Sequence, residues 1–166
     1  MNSQMVRKFL WLILMLLLGS CASGPQFQAD SGALVEGFPV DIVGQAEFPA
    51  GRSVIWGGEI ISTVNQADST RMEILAYPLD HRQKPMRDDP SQGRFKAVVA
   101  GYLEAADYAP HRLVTVQGRL LGRETGKIGK LEYGYPIVAA EKIHLWSKGA
   151  SPWHSIHFGI GINISN

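Results

Sequence analysis

The sequence predicts a mainly-β domain: a small OB-like barrel of five strands, with one short helix between the third and fourth. Three observations predict it. From Arg52 onward, apolar residues recur at every second position in five separate runs, the spacing that lays one face of a strand on a core. Gly is abundant, 18 in 166 residues, which favours turns and bent strands over long helices. The single cysteine excludes an intramolecular disulfide framework and a thiolate-only metal cage, so the domain must hold by packing. Closing the sheet removes the exposed edges that such a domain would otherwise have to manage. At 45% apolar and 19% charged residues the chain can bury a core, and its length favours one domain.

The chain divides into four parts. Residues 1–20 have a positive start at Arg7 and Lys8 and an unbroken apolar run, Phe9 to Leu18. That run is roughly half of the ~20 residues a bilayer-spanning helix needs, so it reads as a secretory signal. It ends at Leu18-Gly19-Ser20-Cys21: an aliphatic residue, two small ones, then the sole cysteine. This resembles the bacterial lipobox, which implies cleavage before Cys21, thioether lipidation of its sulfur and acylation of the new amine. Such chemistry also accounts for a lone cysteine in an oxidising envelope. The next residue is Ala22 and not Asp, which by resemblance to enterobacterial sorting rules implies the outer membrane. Removing residues 1–20 takes away Arg7 and Lys8 and no acid, so the formal charge falls from +1 to −1. A body so near neutral has no basic excess for a phosphate backbone, and nucleic acid is not expected as a partner.

Residues 21–50 read as a lipid-anchored tether, with Leu34, Val35 and Phe38 as candidates for docking on the body. Val40 and Ile42 suggest a short turn or half-buried strand. The barrel occupies 51–146. Its first run, Ser53 to Val64, puts Val54, Trp56, Gly58 and Ile60 on one face, and Gly57-Gly58 suits a strand that must coil sharply. The second, Arg71 to Leu79, turns Met72, Ile74 and Ala76 inward; the third, Phe95 to Leu103, does so with Phe95, Ala97 and Val99. Glu104 to Pro110 has room for at most about two helical turns, ending where Pro110 disfavours helical geometry at Ala109. The fourth run, Arg112 to Leu121, turns Val114, Val116, Gly118 and Leu120 to one side. Gly122 to Lys130 reads as a hairpin loop, and the fifth run, Ile137 to Trp146, shifts face near Glu141, where a bulge is expected. Residues 147–166 form a tail strand, with Phe158, Ile160, Ile162 and Ile164 on one face. Three strands, a short helix and two strands is the order of an oligonucleotide/oligosaccharide-binding (OB) barrel. A β-sandwich is the rival; the strand number and the helix position favour the barrel.

Several stretches together resemble a known family. The lipobox, then WGGEI at 56–60, MEILAYPLD at 72–80 and GKLEYGYP at 129–136, in order within residues 51–146, look like the Slp family of Gram-negative outer-membrane lipoproteins. The resemblance implies a small outer-membrane lipoprotein, linked in some members to starvation or stationary phase, with no assigned catalytic residues. The tail, SPWHSIHFGIGINISN, departs from the Tyr-, Trp- and Pro-rich ends of many members.

No catalytic set emerges beside it. There is no G-x-S-x-G, no G-x-x-x-x-G-K-[ST] and no G-x-G-x-x-G. Asp80, Asp88 and Asp89 lie among Arg82, Lys84 and Arg87, which suggests a solvated, mutually screened loop. His154 and His157 are three apart beside Pro152, and on a strand they point to opposite faces; His81, His111 and His144 are scattered. No metal and no cofactor is expected. The candidate binding face is aromatic: Tyr77 and Tyr102 on the second and third strands, Tyr133 and Tyr135 before the fifth. The reading is a non-enzymatic outer-membrane lipoprotein, attached to the membrane through lipid on Cys21, whose barrel docks an envelope protein or polymer. The alternatives are an envelope enzyme acting on glycan or lipid, and a carrier of a small ligand or metal.

Overall fold

The structure, a computed structural model, describes residues 27–28 and 34–147. The lipobox, Leu18 to Cys21, and the tail from 148 onward, with His154 and His157, lie outside the described residues. Five strands form a closed barrel: β1 (Ser53–Asn65), β2 (Ser69–Tyr77), β3 (Arg94–Ala100), β4 (Leu113–Ile128) and β5 (Leu131–Leu145). Their order around the barrel is β1-β2-β3-β5-β4, antiparallel except where β3 meets β5. That is the OB arrangement.

Alternation builds the core as expected. Val54, Trp56 and Ile60 of β1, Met72, Ile74 and Ala76 of β2, Phe95 and Ala97 of β3, Val114, Val116 and Leu120 of β4 and Val138 of β5 are all buried. Trp56 meets Phe95 edge-on, ring centroids 5.3 Å apart at 67°. Its indole N–H donates to the Gly37 carbonyl at 2.9 Å, so the ring is buried with its polar atom satisfied. Strands approach most closely at Gly58 and Gly118, where a Cβ would overlap the Leu75 and Ala139 carbonyls. Three bulges bend the barrel. The β1–β2 register skips Ile61, β4–β5 skips Leu121 on β4, and the pairing passes from Gln117↔Lys142 to Gly118↔Ala140 across Glu141. The last is the bulge that the face shift indicated.

The expected helix between the third and fourth strands is not there. Residues 104–110 form turns: Asp107 and Tyr108 N–H both donate to the Glu104 carbonyl, at 3.0 and 3.1 Å. Side chains of β1 and β2 hold this segment from both ends. Thr63 Oγ1 donates to the Tyr108 carbonyl, Asn65 Nδ2 donates to the Leu103 carbonyl, and Thr70 Oγ1 accepts from Leu103 N–H. Those side-chain bonds give the segment's backbone partners other than a helix ladder. The helix among the described residues, α1 (Pro39–Val43), precedes β1, where Val40 and Ile42 suggested a turn or strand. Pro39 takes the first helical position, where its fixed φ and missing N–H cost nothing. Phe38 N–H donates to Asp41 Oδ2 at 3.0 Å, and Ile42 is fully buried against the barrel. Val35 also packs on the core, and Leu34 bridges to Ser53.

The hairpin also differs from expectation. Gly122–Ile128 is strand, paired with Leu131–Ile137 down to a turn at Gly129-Lys130, where Gly129 has φ 61°. Lys127 faces Glu132 across it, an opposite-charge pair of the kind that stabilises exposed ladders. The two strands thus run past the barrel as an arm.

Candidate functional site

The arm lies over the outward face of β2 and β3. Alternation along β2 turns Arg71, Glu73, Leu75 and Tyr77 away from the core, and along β3 it turns out Arg94 and Lys96. After the Ile61 bulge, β1 presents Ser62 and Val64 on this same side, opposite Glu73 and Arg71. Glu124 of the arm bridges the two strands: Lys96 Nζ donates to its Oε1 at 2.6 Å and Arg71 Nη2 to its Oε2 at 3.0 Å. Arg94 donates to Glu73 Oε1 at 2.6 Å. Tyr135 lies beneath Lys96, whose Nζ is 4.5 Å from the ring centroid, and its hydroxyl donates to Glu73 at 3.4 Å. Tyr133 meets Tyr135 edge-on at 4.9 Å, and its hydroxyl accepts from Arg94 N–H at 2.8 Å.

Local sequence explains why the arm fits there. At Gly126 a Cβ would press on the Tyr135 ring at 2.9 Å, so glycine lets the two arm strands and the ring share the space. On its other side the arm leans on α1: a Cβ at Gly134 would meet Val43 Cγ2 at 2.6 Å. Arg123 donates to the Val43 carbonyl at 3.0 Å and covers Phe48 at 5.4 Å.

The electrostatics are those of matched charges. The Lys96 hydrogen bond, with Arg71 beside it, holds the Glu124 carboxyl below its ordinary value against the effect of burial. Burial pushes the Tyr135 phenol up, and the Glu73 charge adds to this. Both groups therefore keep their neutral-pH forms, Glu124 ionised and Tyr135 protonated. A shallow groove of roughly 200 Å³ remains beside the array, lined by Ser62, Val64, Arg71, Met72, Glu73 and Lys96. Val64, 56% exposed, is its apolar rim.

Of the candidate tyrosines, the structure brings two together. Tyr133 and Tyr135 lie within β5, not before it, and Tyr135 is 2% exposed, so its ring is packing and not an open stacking platform. Tyr77 is half-buried at the far end of β2. Tyr102 lies beyond β3, exposed, its hydroxyl donating to Glu104 at 3.1 Å. The charged residues between them were the ones sequence reasoning missed.

The other candidate chemistry is dispersed. Asp80 accepts from the Lys84 and Arg82 N–H groups at 2.9 and 2.8 Å, bonds that hold its carboxyl low; it caps a turn. His111 Nδ1 lies 2.6 Å from Glu59, which also takes Arg87 at 2.7 Å. Burial works to raise the Glu59 carboxyl, but these two partners outweigh it and hold it low. His144 stacks edge-on with Trp146, and burial lowers its pKa. Among the described residues no three His, Cys, Asp or Glu side chains converge as a metal site. No described helix is long and apolar enough to cross a membrane.

Fold and site thus define a small OB-type barrel whose β2–β3 face is partly covered by its own β4–β5 arm, with a groove left open beside it. The chain belongs to the outer membrane lipoprotein Slp family, whose family model matches residues 18–158. It is accordingly an outer-membrane, lipid-anchored protein. Its sequence is similar to the uncharacterized lipoprotein YeaY of Escherichia coli K12, 30% identical over 131 residues, covering 79% of this chain and 67% of that one. It is similar also to the outer membrane protein Slp of the same organism, 31% identical over 143 residues, 86% of this chain and 76% of that one. Among solved structures, a small single-stranded DNA-binding protein from Streptomyces coelicolor covers 57% of this chain and 94% of its own, at 16% identity and a TM-score of 0.39. A likeness of that size carries no statement about ligands.

Proposed function

We propose that the chain is acylated at Cys21, within the lipobox Leu18-Gly19-Ser20-Cys21, and that its barrel is a docking module for an envelope protein or polymer. The observation that carries this reading is the face over β2 and β3. Its acids and bases are matched into ion pairs under the arm, and the arrangement offers shape and alternating charge. A carboxylate that is to act as a general acid needs a raised pKa; Glu124, Glu59 and Asp80 are all lowered. The groove beside Arg71 and Lys96, with Val64 at its rim, is the point of contact for the partner.

The test is photo-crosslinking in growing cells, with a photoreactive side chain at Val64 or at Tyr77. A discrete adduct from Val64 that is lost when Cys21→Ser releases the protein from the membrane supports the reading. No adduct from either position, or adducts indifferent to Cys21→Ser, contradicts it. The competing enzyme reading requires Asp80, Asp88 and Asp89; the combined Asn variant should leave any phenotype intact. The family tie to starvation leads to the further proposal that the protein accumulates on entry into stationary phase, which immunoblotting across a growth curve checks.

A further inference from the structure

The chain that leads from Cys21 to the barrel is clamped very close to its start. Phe27 N–H donates to Gln83 Oε1 at 2.7 Å, and Gln83 Nε2 donates back to the Phe27 carbonyl at 2.9 Å. Gln117 Nε2 donates to the Gln28 carbonyl at 3.2 Å. Gln83 is itself held at φ 63°, a left-handed conformation that a non-glycine residue keeps only when its surroundings impose it. Those surroundings are explicit: Gln83 N–H donates to the Asp80 carbonyl, and its own carbonyl accepts from Thr115 Oγ1 at 2.6 Å.

The clamp fixes a distance. Five residues lie between Cys21 and Phe27, and the six steps of fully extended chain that join them reach roughly 20 Å. If the lipid is on Cys21, the surface around Gln83 and Gln117 cannot stand further than that from the bilayer. The tip of the arm, by contrast, lies eleven residues beyond Gln117 along β4, roughly 36 Å at the usual strand rise.

The surface around the clamp has the chemistry of a membrane contact. Loop 79–86 lies across the outward side of β1 and β4, its Leu79 and Pro85 covering Gly57. It exposes His81, Arg82, Lys84 and Met86. Beside it β5 turns out Lys142, opposite Gln117, and His144, opposite Thr115, and Trp146 follows at the end of the strand. Lys84 Nζ lies 5.9 Å from the Trp146 ring, and the Trp146 indole donates to Thr115 Oγ1 at 2.9 Å. Among the described residues, Arg82, Lys84 and Lys142 have no carboxylate partner, whereas Arg87, Arg119 and His111 are paired. Asp80, the acid nearest Arg82 in sequence, is turned to the backbone N–H groups of Arg82 and Lys84, and Glu141, next to Lys142, is paired with Arg119.

We propose that this face is the membrane-facing surface of the protein: the outward side of β1, β4 and β5 with loop 79–86 across it, set against the anionic lipid headgroups of the bilayer that holds its acyl chains. Arg82, Lys84 and Lys142 meet headgroup phosphates, and Trp146 sits at interface level, where its amphipathic ring is at home. The arm and the charged β2–β3 face then point away from the bilayer, free for a partner. The inference rests on acylation of Cys21.

The test uses full-length, lipidated protein in phosphatidylethanolamine/phosphatidylglycerol vesicles that carry a headgroup-linked nitroxide quencher. A fluorophore is placed through His81→Cys or through Leu131→Cys, both exposed positions; the thioether leaves Cys21 unreactive. Quenching severalfold stronger at 81 than at 131 is expected. The contrast should weaken when the vesicles are made of neutral lipid, or when Arg82→Glu, Lys84→Glu and Lys142→Glu are combined. Equal quenching at the two positions, or stronger quenching at 131, overturns the orientation while the protein still floats with the vesicles. Failure to float, with Cys21 itself taking the label, overturns the acylation reading and this inference with it.

Discussion

Glu124 joins three strands with one side chain, which makes it the residue whose loss should be felt furthest from its position. Its two cations reach it from β2 and β3, so Glu124→Gln uncouples the arm from the barrel. With the carboxylate 38% exposed, solvent screens both pairs, and the expected cost is about 1 kcal/mol. Urea denaturation checks the cost, and faster hydrogen exchange across residues 121–128 checks the uncoupling. The pH dependence has a definite sign. The folded pKa of Glu124 is lowered, so its contribution is complete above the unfolded value of about 4.3 and is lost as pH falls through the folded value. Glu59 acts in the same direction. Urea midpoints should therefore fall between pH 7 and about pH 3, and less steeply in Glu124→Gln; an unchanged slope would mean that the carboxylate does not hold the arm. Gly118→Ala is the opposite kind of change. Its Cβ would overlap the Ala139 carbonyl and crowd Val138 Cγ1 at 2.8 Å, for an expected loss of about 3 kcal/mol by overpacking, read from the same titration.

At the scale of elements, the barrel was legible and its attachments were not. The inward residues of β1, β2 and β4 stand at every second position, and one buried face forces that period on a strand. The arm gave no such signal. Along its first strand, Gly122 to Ile128, no residue is buried, so GRETGKIGK shows glycines and charges where turns also show them. What makes it strand is pairing with β5 and ion pairs to residues far away in sequence, and neither leaves a local pattern. Helix α1 escaped for a related reason: five residues are too few for a period of 3.6, so Val40 and Ile42 read as alternation. Its cue was Pro39 before an acidic residue in the first turn, with Gly44 at its end. Docking of α1 is testable through Ile42, which is fully buried. Ile42→Ala should cost about 3 kcal/mol, loosening the helix and the arm resting on it; a loss near zero would mean that the barrel closes without them.

At the scale of the whole molecule, acylation at Cys21, as proposed, would make the lipobox and the barrel one arrangement. The candidate site was legible only as scattered tyrosines, because its organising residues are ordinary surface charges until the fold brings Arg71, Lys96 and Glu124 together. The lipobox is a different kind of signal, read from a short local string and not from the fold, and the acylation it implies at Cys21 is the proposal made above. The Gln83 clamp connects the two: Gln83→Ala removes both bonds to Phe27 and should free the barrel to turn on its leash, lowering the quenching contrast between positions 81 and 131 while flotation stays complete. The account rests above all on Cys21, and intact-mass spectrometry of the protein extracted from outer membranes tests that most directly. The account predicts a chain that begins at Cys21 and carries the added mass of a diacylglyceryl thioether and an amide-linked acyl chain. A chain that retains residues 1–20, or one cleaved elsewhere with a free Cys21 thiol, would contradict it.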